Sequence, residues 1–108
     1  MGNMIKLPYD EGAGNTGILA LNVDGAIDVI LNAADELYIN YDVFSNVAGN
    51  FIQVQLTFTD NDLDQDDADA LLATIKRASQ APNSQPTFQP GDNKIDGPAG
   101  ITVTDVTP

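Results

Sequence analysis

The sequence contains no cysteine and no histidine in its 108 residues. Without cysteine there is no disulfide bond, no thiolate metal site and no thiol nucleophile. Without histidine the chain lacks the commonest general base and the commonest zinc ligand. An enzyme of this composition would have to work with carboxylate, hydroxyl, phenol, amine or guanidinium groups alone. The composition therefore favours a protein that is not an enzyme and that needs no cofactor.

Basic residues are also scarce. Four lysines and arginines stand against sixteen acidic residues, which gives a formal net charge of −12. A chain this acidic repels nucleic acid and anionic lipid, so we expect neither nucleic acid nor membrane as a direct partner. No apolar run approaches the roughly 20 residues of a membrane-spanning helix. The first residues also lack the pattern of a secretory signal peptide, so the sequence predicts none.

What the chain does contain fits one globular domain. A hydrophobic fraction of 43% is ordinary for a folded protein, and the length is that of one domain, so we predict a single domain over 1–108. Fourteen of the sixteen acids are aspartate, which forms turns and helix caps, so many loops and few helices are expected. The glycine-rich segment 1–17 is expected to be flexible.

Two segments alternate between apolar and polar residues, LYINYDV at 37–43 and FIQVQLTFT at 51–59. Such alternation predicts antiparallel strands with one buried and one solvated face. Shorter apolar runs predict three further strands at 18–23, 26–31 and 101–106, the last with Ile101 and Val103 pointing inward. The predicted sheet therefore has about five strands.

The periodicity changes to 3.6 residues within 64–80, which predicts one amphipathic helix. The segment 81–100 carries four prolines and is expected to form a loop or an extended arm. The fold class is therefore α+β: a mainly antiparallel sheet with one amphipathic helix before the last strand.

Six aspartates crowd into residues 60–69, where this helix begins. A calcium loop of the EF-hand type is one interpretation, with Asp60, Asp62 and Asp64 at its first, third and fifth positions. Such a loop needs glycine at its sixth position and a bidentate carboxylate at its twelfth, where this chain has Gln65 and Leu71. We therefore expect no dedicated metal site, and the three aspartates remain weak candidates.

The start of a helix explains more of this cluster. Asp64 is predicted to be the N-cap, with Asp67 three residues later and Leu63 and Ala68 as a hydrophobic staple. Carboxylates in the first turn and cations near the last turn both suit the helix dipole. A third interpretation is a surface that imitates nucleic-acid phosphates, for which the ordinary alternative is a solvated acidic face.

Three aromatic residues are predicted to lie away from the core, on the other sheet face or near the hairpin turn. They are Tyr38, Phe44 and Phe51. Exposed aromatic side chains often form a contact surface. The alternative is that the N-terminal segment or the proline-rich arm covers them.

The order of segments along the chain is itself a feature. It runs IKLP, ALNVDGAIDVIL, ELYINYD, FIQVQLTFTD, DADALLATIKRASQAPNSQP and GITVTDVT. From Ile5 to Thr107 this layout resembles that of small uncharacterised proteins of marine tailed phages, which are taken to be virion-associated. The resemblance is one of layout and composition and includes no catalytic residue. It implies a structural, assembling role in the virion or the host cytoplasm.

These observations favour a non-enzymatic structural or assembly protein that forms a homo-oligomer, with other virion or host proteins as further partners. The first alternative is an acidic DNA mimic or inhibitor that binds a basic protein. The second is a calcium-binding module, and an enzyme built on carboxylates comes last.

Overall fold

The structure is a computed structural model and describes residues 3–44, 50–81 and 83–106, without the side chain of Phe44. It confirms the α+β class, with six strands in place of about five and one α-helix before the last strand. The elements are β1 (Met4–Asp10), β2 (Thr16–Asn22), β3 (Ala26–Ala33), β4 (Glu36–Phe44), β5 (Phe51–Thr57), α1 (Gln65–Gln80) and β6 (Ile101–Val106). One turn of 3-10 helix, Pro98–Gly100, leads into β6.

The strands form two antiparallel sheets. β1 and β2 make a two-stranded sheet in which Met4 lies opposite Asn22 and Asp10 opposite Thr16. The strands β3, β4, β5 and β6 form a four-stranded sheet in chain order. Each of the pairs β3–β4 and β4–β5 is antiparallel, whereas α1 and the proline-rich loop lie between β5 and β6.

The hydrophobic core draws on one face of the four-stranded sheet, on α1 and on β1. We call that sheet face the inner face and the opposite one the outer face. Helix α1 contacts β3 and β1, and its buried stripe includes Leu71 and Ile75. Each fully buried aliphatic side chain contributes about 1.5–3 kcal/mol before conformational entropy is subtracted. The large aliphatic side chains with no exposed surface are Ile5, Leu7, Leu37, Ile39, Leu56 and Leu71.

The expectation of a flexible N-terminal segment is corrected over residues 4–10, which form β1. Ile5 and Leu7 are fully buried in the core, so this strand is an integral part of the fold. The turn into β2 uses Gly12 and Gly14, which both have φ of 82°. Glycine adopts this left-handed conformation without a steric penalty, and its abundance here made the segment look unstructured.

The proline-rich segment is a packed loop and not an arm. Phe88 and Ile95 are buried in the core cluster. The Phe88 N–H donates to the Lys6 carbonyl at 2.9 Å, and the Ile95 N–H donates to the Pro8 carbonyl at 3.1 Å. The loop thus lies along the free edge of β1 and forms isolated parallel β-bridges with it. An unpaired strand edge is a site of aggregation, and this loop protects it.

Tyr41 links the two sheets. It lies on the inner face of β4 with 6% of its surface exposed, and its hydroxyl donates to the Asn22 carbonyl at 2.6 Å, at the end of β2. Burial, followed by the negative charge of Asp24, raises the pKa of Tyr41 to about 12. The small sheet is therefore held over β4 by a buried hydrogen bond as well as by apolar packing.

Candidate functional site

The acidic segment begins α1 as predicted. The Asp67 N–H donates to Asp64 Oδ1 at 3.2 Å, and the Asp64 N–H donates to Asp67 Oδ2 at 2.9 Å. These reciprocal bonds form a capping box and satisfy two N–H groups that a helix start leaves unpaired. Leu63 and Ala68 are both buried, as expected of the staple. The prediction that Asp64 caps the helix is confirmed.

Asp60 and Asp62 are held by a residue that the sequence did not single out. Asn93 is 1% exposed, and its Nδ2 donates to Asp62 Oδ1 at 2.9 Å and to the Asp60 carbonyl at 3.2 Å. Its Oδ1 accepts from the Asp60 N–H at 3.0 Å and from Thr59 Oγ1 at 3.2 Å. A buried amide with both ends satisfied stabilises the loops that it joins. These contacts are structural.

The three weak metal candidates are not grouped in the way that the ligands of a metal ion would be. In the part of the chain that the structure describes, no group of three or more acidic side chains could hold a metal ion. The Asp62 carboxylate accepts from Asn93, and the Asp64 carboxylate caps α1. The arrangement of Asp60, Asp62 and Asp64 is therefore that of a loop entering a helix.

The outer face of the four-stranded sheet carries a polar row across all four strands. We use "polar row" for Asp28, Asn40, Gln53 and Thr104, which lie directly opposite one another on successive strands. Asn40 Nδ2 donates to Asp28 Oδ1 at 2.7 Å, and Gln53 Nε2 donates to Asn40 Oδ1 at 2.8 Å. Cross-strand side-chain pairs of this kind contribute roughly 0.2–1 kcal/mol each.

Two of the predicted aromatic residues flank the polar row. Tyr38 lies two residues from Asn40 on β4, and Phe51 lies two residues from Gln53 on β5, at the opposite end. Both side chains are half-buried. Partial burial raises the pKa of Tyr38, and so do the charge of Glu36 and a hydrogen bond with its carboxylate. The side chain of Phe44, the third predicted aromatic, lies outside the described residues.

A pocket opens at the Phe51 end of the polar row because two strands bulge there. The β3–β4 register shifts between Ala26 and Asp28, and the β4–β5 register shifts between Asn40 and Phe44. The pocket has a volume of about 410 Å³. Side chains of the polar row and apolar side chains both line it, among them Ile27, Asp28, Asn40, Phe51, Gln53 and Val106. Bulges often re-aim side chains at binding sites.

A second exposed surface is the free edge at β6. This strand pairs with β5 over all six residues without a register shift, from Phe51 opposite Val106 to Leu56 opposite Ile101. Val103 lies opposite the buried Val54, as predicted for an inward residue, yet 63% of its surface is exposed. The correction has a simple cause: Ile101 still packs against the core, but no described element covers the inner face at Val103. Val103 therefore borders an open groove with Val43 and Ile52.

No protein-family model, curated protein or solved structure matches the chain. Among residues 3–44, 50–81 and 83–106, no helix has the length and apolarity required to cross a membrane. The function must therefore be argued from the surfaces themselves. These are the free β6 edge and the outer-face pocket.

Proposed function

We propose that the chain is a non-enzymatic structural or assembly protein that binds a second copy of itself through the free edge of β6. The observation that carries the proposal is Val103, which is 63% exposed at the centre of a regular edge strand. Soluble proteins usually blunt such edges with bulges, prolines or several charges. On β6 the only charged side chain is Asp105, near its end.

The other edge of the same sheet is protected. The pairing of β3 with β4 shifts register twice, and β3 contacts α1. Bulges twist an edge strand and interrupt its row of unpaired backbone groups, so they oppose pairing with another chain. The contrast between β3 and β6 supports an edge kept open for a partner.

A two-fold axis normal to the sheet gives β6 a self-complementary register. With Val103 on the axis, Val103 faces its own counterpart and Thr102 faces Thr104 of the second copy. Asp105 then faces Ile101, so the two carboxylates lie at opposite ends of the interface. Apolar and threonine pairs across strands are favourable, and two-fold pairing is the commonest way that identical chains assemble. The product is a continuous eight-stranded sheet.

A cysteine scan tests this register directly, because the chain has no cysteine of its own. Antiparallel residues that face each other have Cα atoms about 4.5–5.5 Å apart, which is within the range of a disulfide. Val103→Cys is expected to form a covalent dimer under mild oxidation. The matched control is Ile18→Cys on β2, where Ile18 is 64% exposed. A crosslink at both positions, or at position 18 alone, contradicts pairing through β6.

Association with a virion is the more specific part of the proposal and rests on the resemblance in layout. Its test is mass spectrometry of purified phage particles from the genome that encodes the chain. We expect the protein to copurify with particles through a density gradient. Its presence only in the lysate of infected cells contradicts the virion role and leaves self-association to the crosslinking test.

A further inference from the structure

The outer-face pocket has a feature that a merely solvated sheet face does not require. Gln53 is 8% exposed although it lies on the face turned away from the core. Its amide is held at both ends, because Nε2 donates to Asn40 Oδ1 at 2.8 Å and Oε1 accepts from Gln55 Nε2 at 3.2 Å. A long polar side chain that is buried and held in this way is pre-organised.

The hydrogen bonds of the polar row all run in one direction and end at Asp28. A carboxylate only accepts hydrogen bonds when it is ionised, so Asn40 must turn its NH₂ group towards Asp28 and its oxygen towards Gln53. Each amide nitrogen has a second N–H, each amide oxygen a second lone pair, and Asp28 a second oxygen. The row therefore carries donors and acceptors in a fixed order, at the strand spacing of about 4.8 Å.

The walls of the pocket add apolar surface to this row. Phe51, Ile27 and Val106 line it beside the polar side chains. None of the side chains that line the pocket is basic, and Asp28 and Asp42 are acidic. Phosphate and carboxylate ligands are disfavoured in such a site because the like charges repel. A neutral ligand that has many hydroxyl groups and an apolar C–H face matches both the polar row and the apolar walls.

We propose that this pocket binds a neutral saccharide, with Asp28, Asn40 and Gln53 hydrogen-bonded to hydroxyl groups and the Phe51 ring against the C–H face of a sugar. Planar amides and carboxylates suit vicinal hydroxyl groups because they offer two polar atoms in one plane. The volume of about 410 Å³ is at the lower end of the range for ligand pockets and accommodates about two sugar rings. The two strand bulges that open the pocket set its shape.

The test is an NMR titration of the ¹⁵N-labelled protein. The neutral probes are cellohexaose, laminarihexaose, mannohexaose and chitohexaose, and the anionic comparison is an alginate hexasaccharide. We expect at least one neutral probe to shift the side-chain amide signals of Asn40 and Gln53 saturably, with a Kd of roughly 1 mM or tighter. The alginate probe is expected to leave these signals in place.

Two variants assign the binding to the pocket. Asp28→Asn preserves the shape of the side chain but replaces an acceptor-only group, and Asn40→Ala removes the centre of the row. Each is expected to weaken binding about tenfold or more, which corresponds to one or two lost hydrogen bonds. Asp92→Asn, an exposed loop residue, is the matched control for the change in charge. Thermal unfolding verifies that each variant is folded. If neither pocket variant is folded, the titration of the wild type alone decides whether the proposal holds.

Three results overturn the proposal. One is the absence of amide shifts with every neutral probe, and another is unchanged binding in both pocket variants while they are folded. The third is a response at Asp28 and Asn40 to calcium or spermidine alone, which would identify a cation site. The proposal does not depend on assembly through β6, because Val103→Lys, designed to be monomeric, is expected to bind the same probe with unchanged affinity.

Discussion

Asn93 and Asp62 are 31 residues apart in the chain, yet Asn93 Nδ2 donates to Asp62 Oδ1 at 2.9 Å. The contact joins the proline-rich loop to the acidic segment that precedes α1. It also gives the negative charge of Asp62 a structural role, since the Asp62 carboxylate accepts a hydrogen bond from a buried amide. An acidic cluster with internal partners of this kind is a weaker argument for a DNA mimic than the composition alone.

Replacing this amide with a carboxylate is expected to destabilise the fold. In Asn93→Asp the new carboxylate faces Asp62 and cannot donate, so we expect a loss of about 2–4 kcal/mol at neutral pH. The proximity of Asp62 raises the folded-state pKa of the new group above its unfolded value of about 3.9, so the deficit grows as the pH rises and shrinks below that value. Urea denaturation at neutral and acidic pH measures it.

Asn83→Asp is the matched control, because Asn83 is exposed in the same loop. It makes the same change of charge and is expected to alter the free energy of unfolding by less than about 0.5 kcal/mol. Equal losses in the two variants would show that net charge, and not the Asn93 contact, determines the effect.

The capping box gives a second stability prediction. Asp64→Ala removes the acceptor of the Asp67 N–H, so we expect a loss of about 0.5–2 kcal/mol in urea denaturation. Asp66→Ala is the control, since Asp66 lies exposed in the first turn outside the box. It removes only an interaction with the helix dipole, worth about 0.3–1 kcal/mol at most in a chain that repels further negative charge. Equal losses would contradict a specific cap.

The same geometry bears on calcium. The carboxylates of Asp62 and Asp64 each accept a hydrogen bond from a protein donor, and a metal would have to displace those donors. We therefore expect isothermal titration calorimetry to detect no stoichiometric binding of calcium at micromolar concentrations. Stoichiometric heat in the affinity range of sensor sites would identify the chain as a calcium module after all.

Local patterns predicted the elements that depend on neighbours in the chain. The alternation at 51–59 identified β5, the 3.6-residue period identified α1, and Asp64 marked its first turn. The missed element, β1, depends on partners outside its own segment. β1 is stabilised by pairing with β2 and with the loop around Ile95, and no pattern within residues 4–10 records that pairing.

The sequence predicts the sheet face on which the side chains of the candidate site lie. It does not predict which of these side chains contact one another. Alternation alone places Asn40 and Gln53 on the outer face. Their hydrogen bond to one another, and that of Asn40 to Asp28, require the cross-strand register and the two bulges, which the sequence of a single strand does not contain. Val103 shows the same limit, because its direction follows from alternation while its exposure follows from the absence of a covering element among the described residues.

The buried hydroxyl of Tyr41 predicts a loss of stability at alkaline pH. Its pKa is about 12 in the folded protein against an ordinary value of 10.0, so the folded state retains a proton that the unfolded state loses between these values. The stabilisation is complete below pH 10.0 and is lost as the pH rises towards about 12. Thermal unfolding, with tyrosinate absorbance followed in parallel, measures the effect.

Tyr41→Phe should reduce this alkaline dependence, although Tyr38, whose pKa is also raised, retains a part of it. At neutral pH the variant should lose about 0.5–1.5 kcal/mol with the hydrogen bond to Asn22. Tyr9→Phe leaves Tyr41 intact and is the matched control for the loss of a tyrosine hydroxyl. An identical alkaline profile in Tyr41→Phe and the wild type would contradict the role given to this hydroxyl.

Assembly through β6 must overcome the charge of −12 on each chain, and this fixes the direction of its salt dependence. Salt screens repulsion between chains, with a screening length of about 10 Å at 0.1 M, so the dimer is expected to tighten as sodium chloride is raised. Val103→Lys places two ammonium groups against each other at the axis and should stay monomeric throughout, whereas Ile18→Lys makes the same change of charge on β2 and should dimerise like the wild type. Light scattering after size exclusion measures the mass of the wild type and of both lysine variants. A wild-type monomer at every salt concentration, or equal dimerisation of the two lysine variants, would contradict pairing through β6.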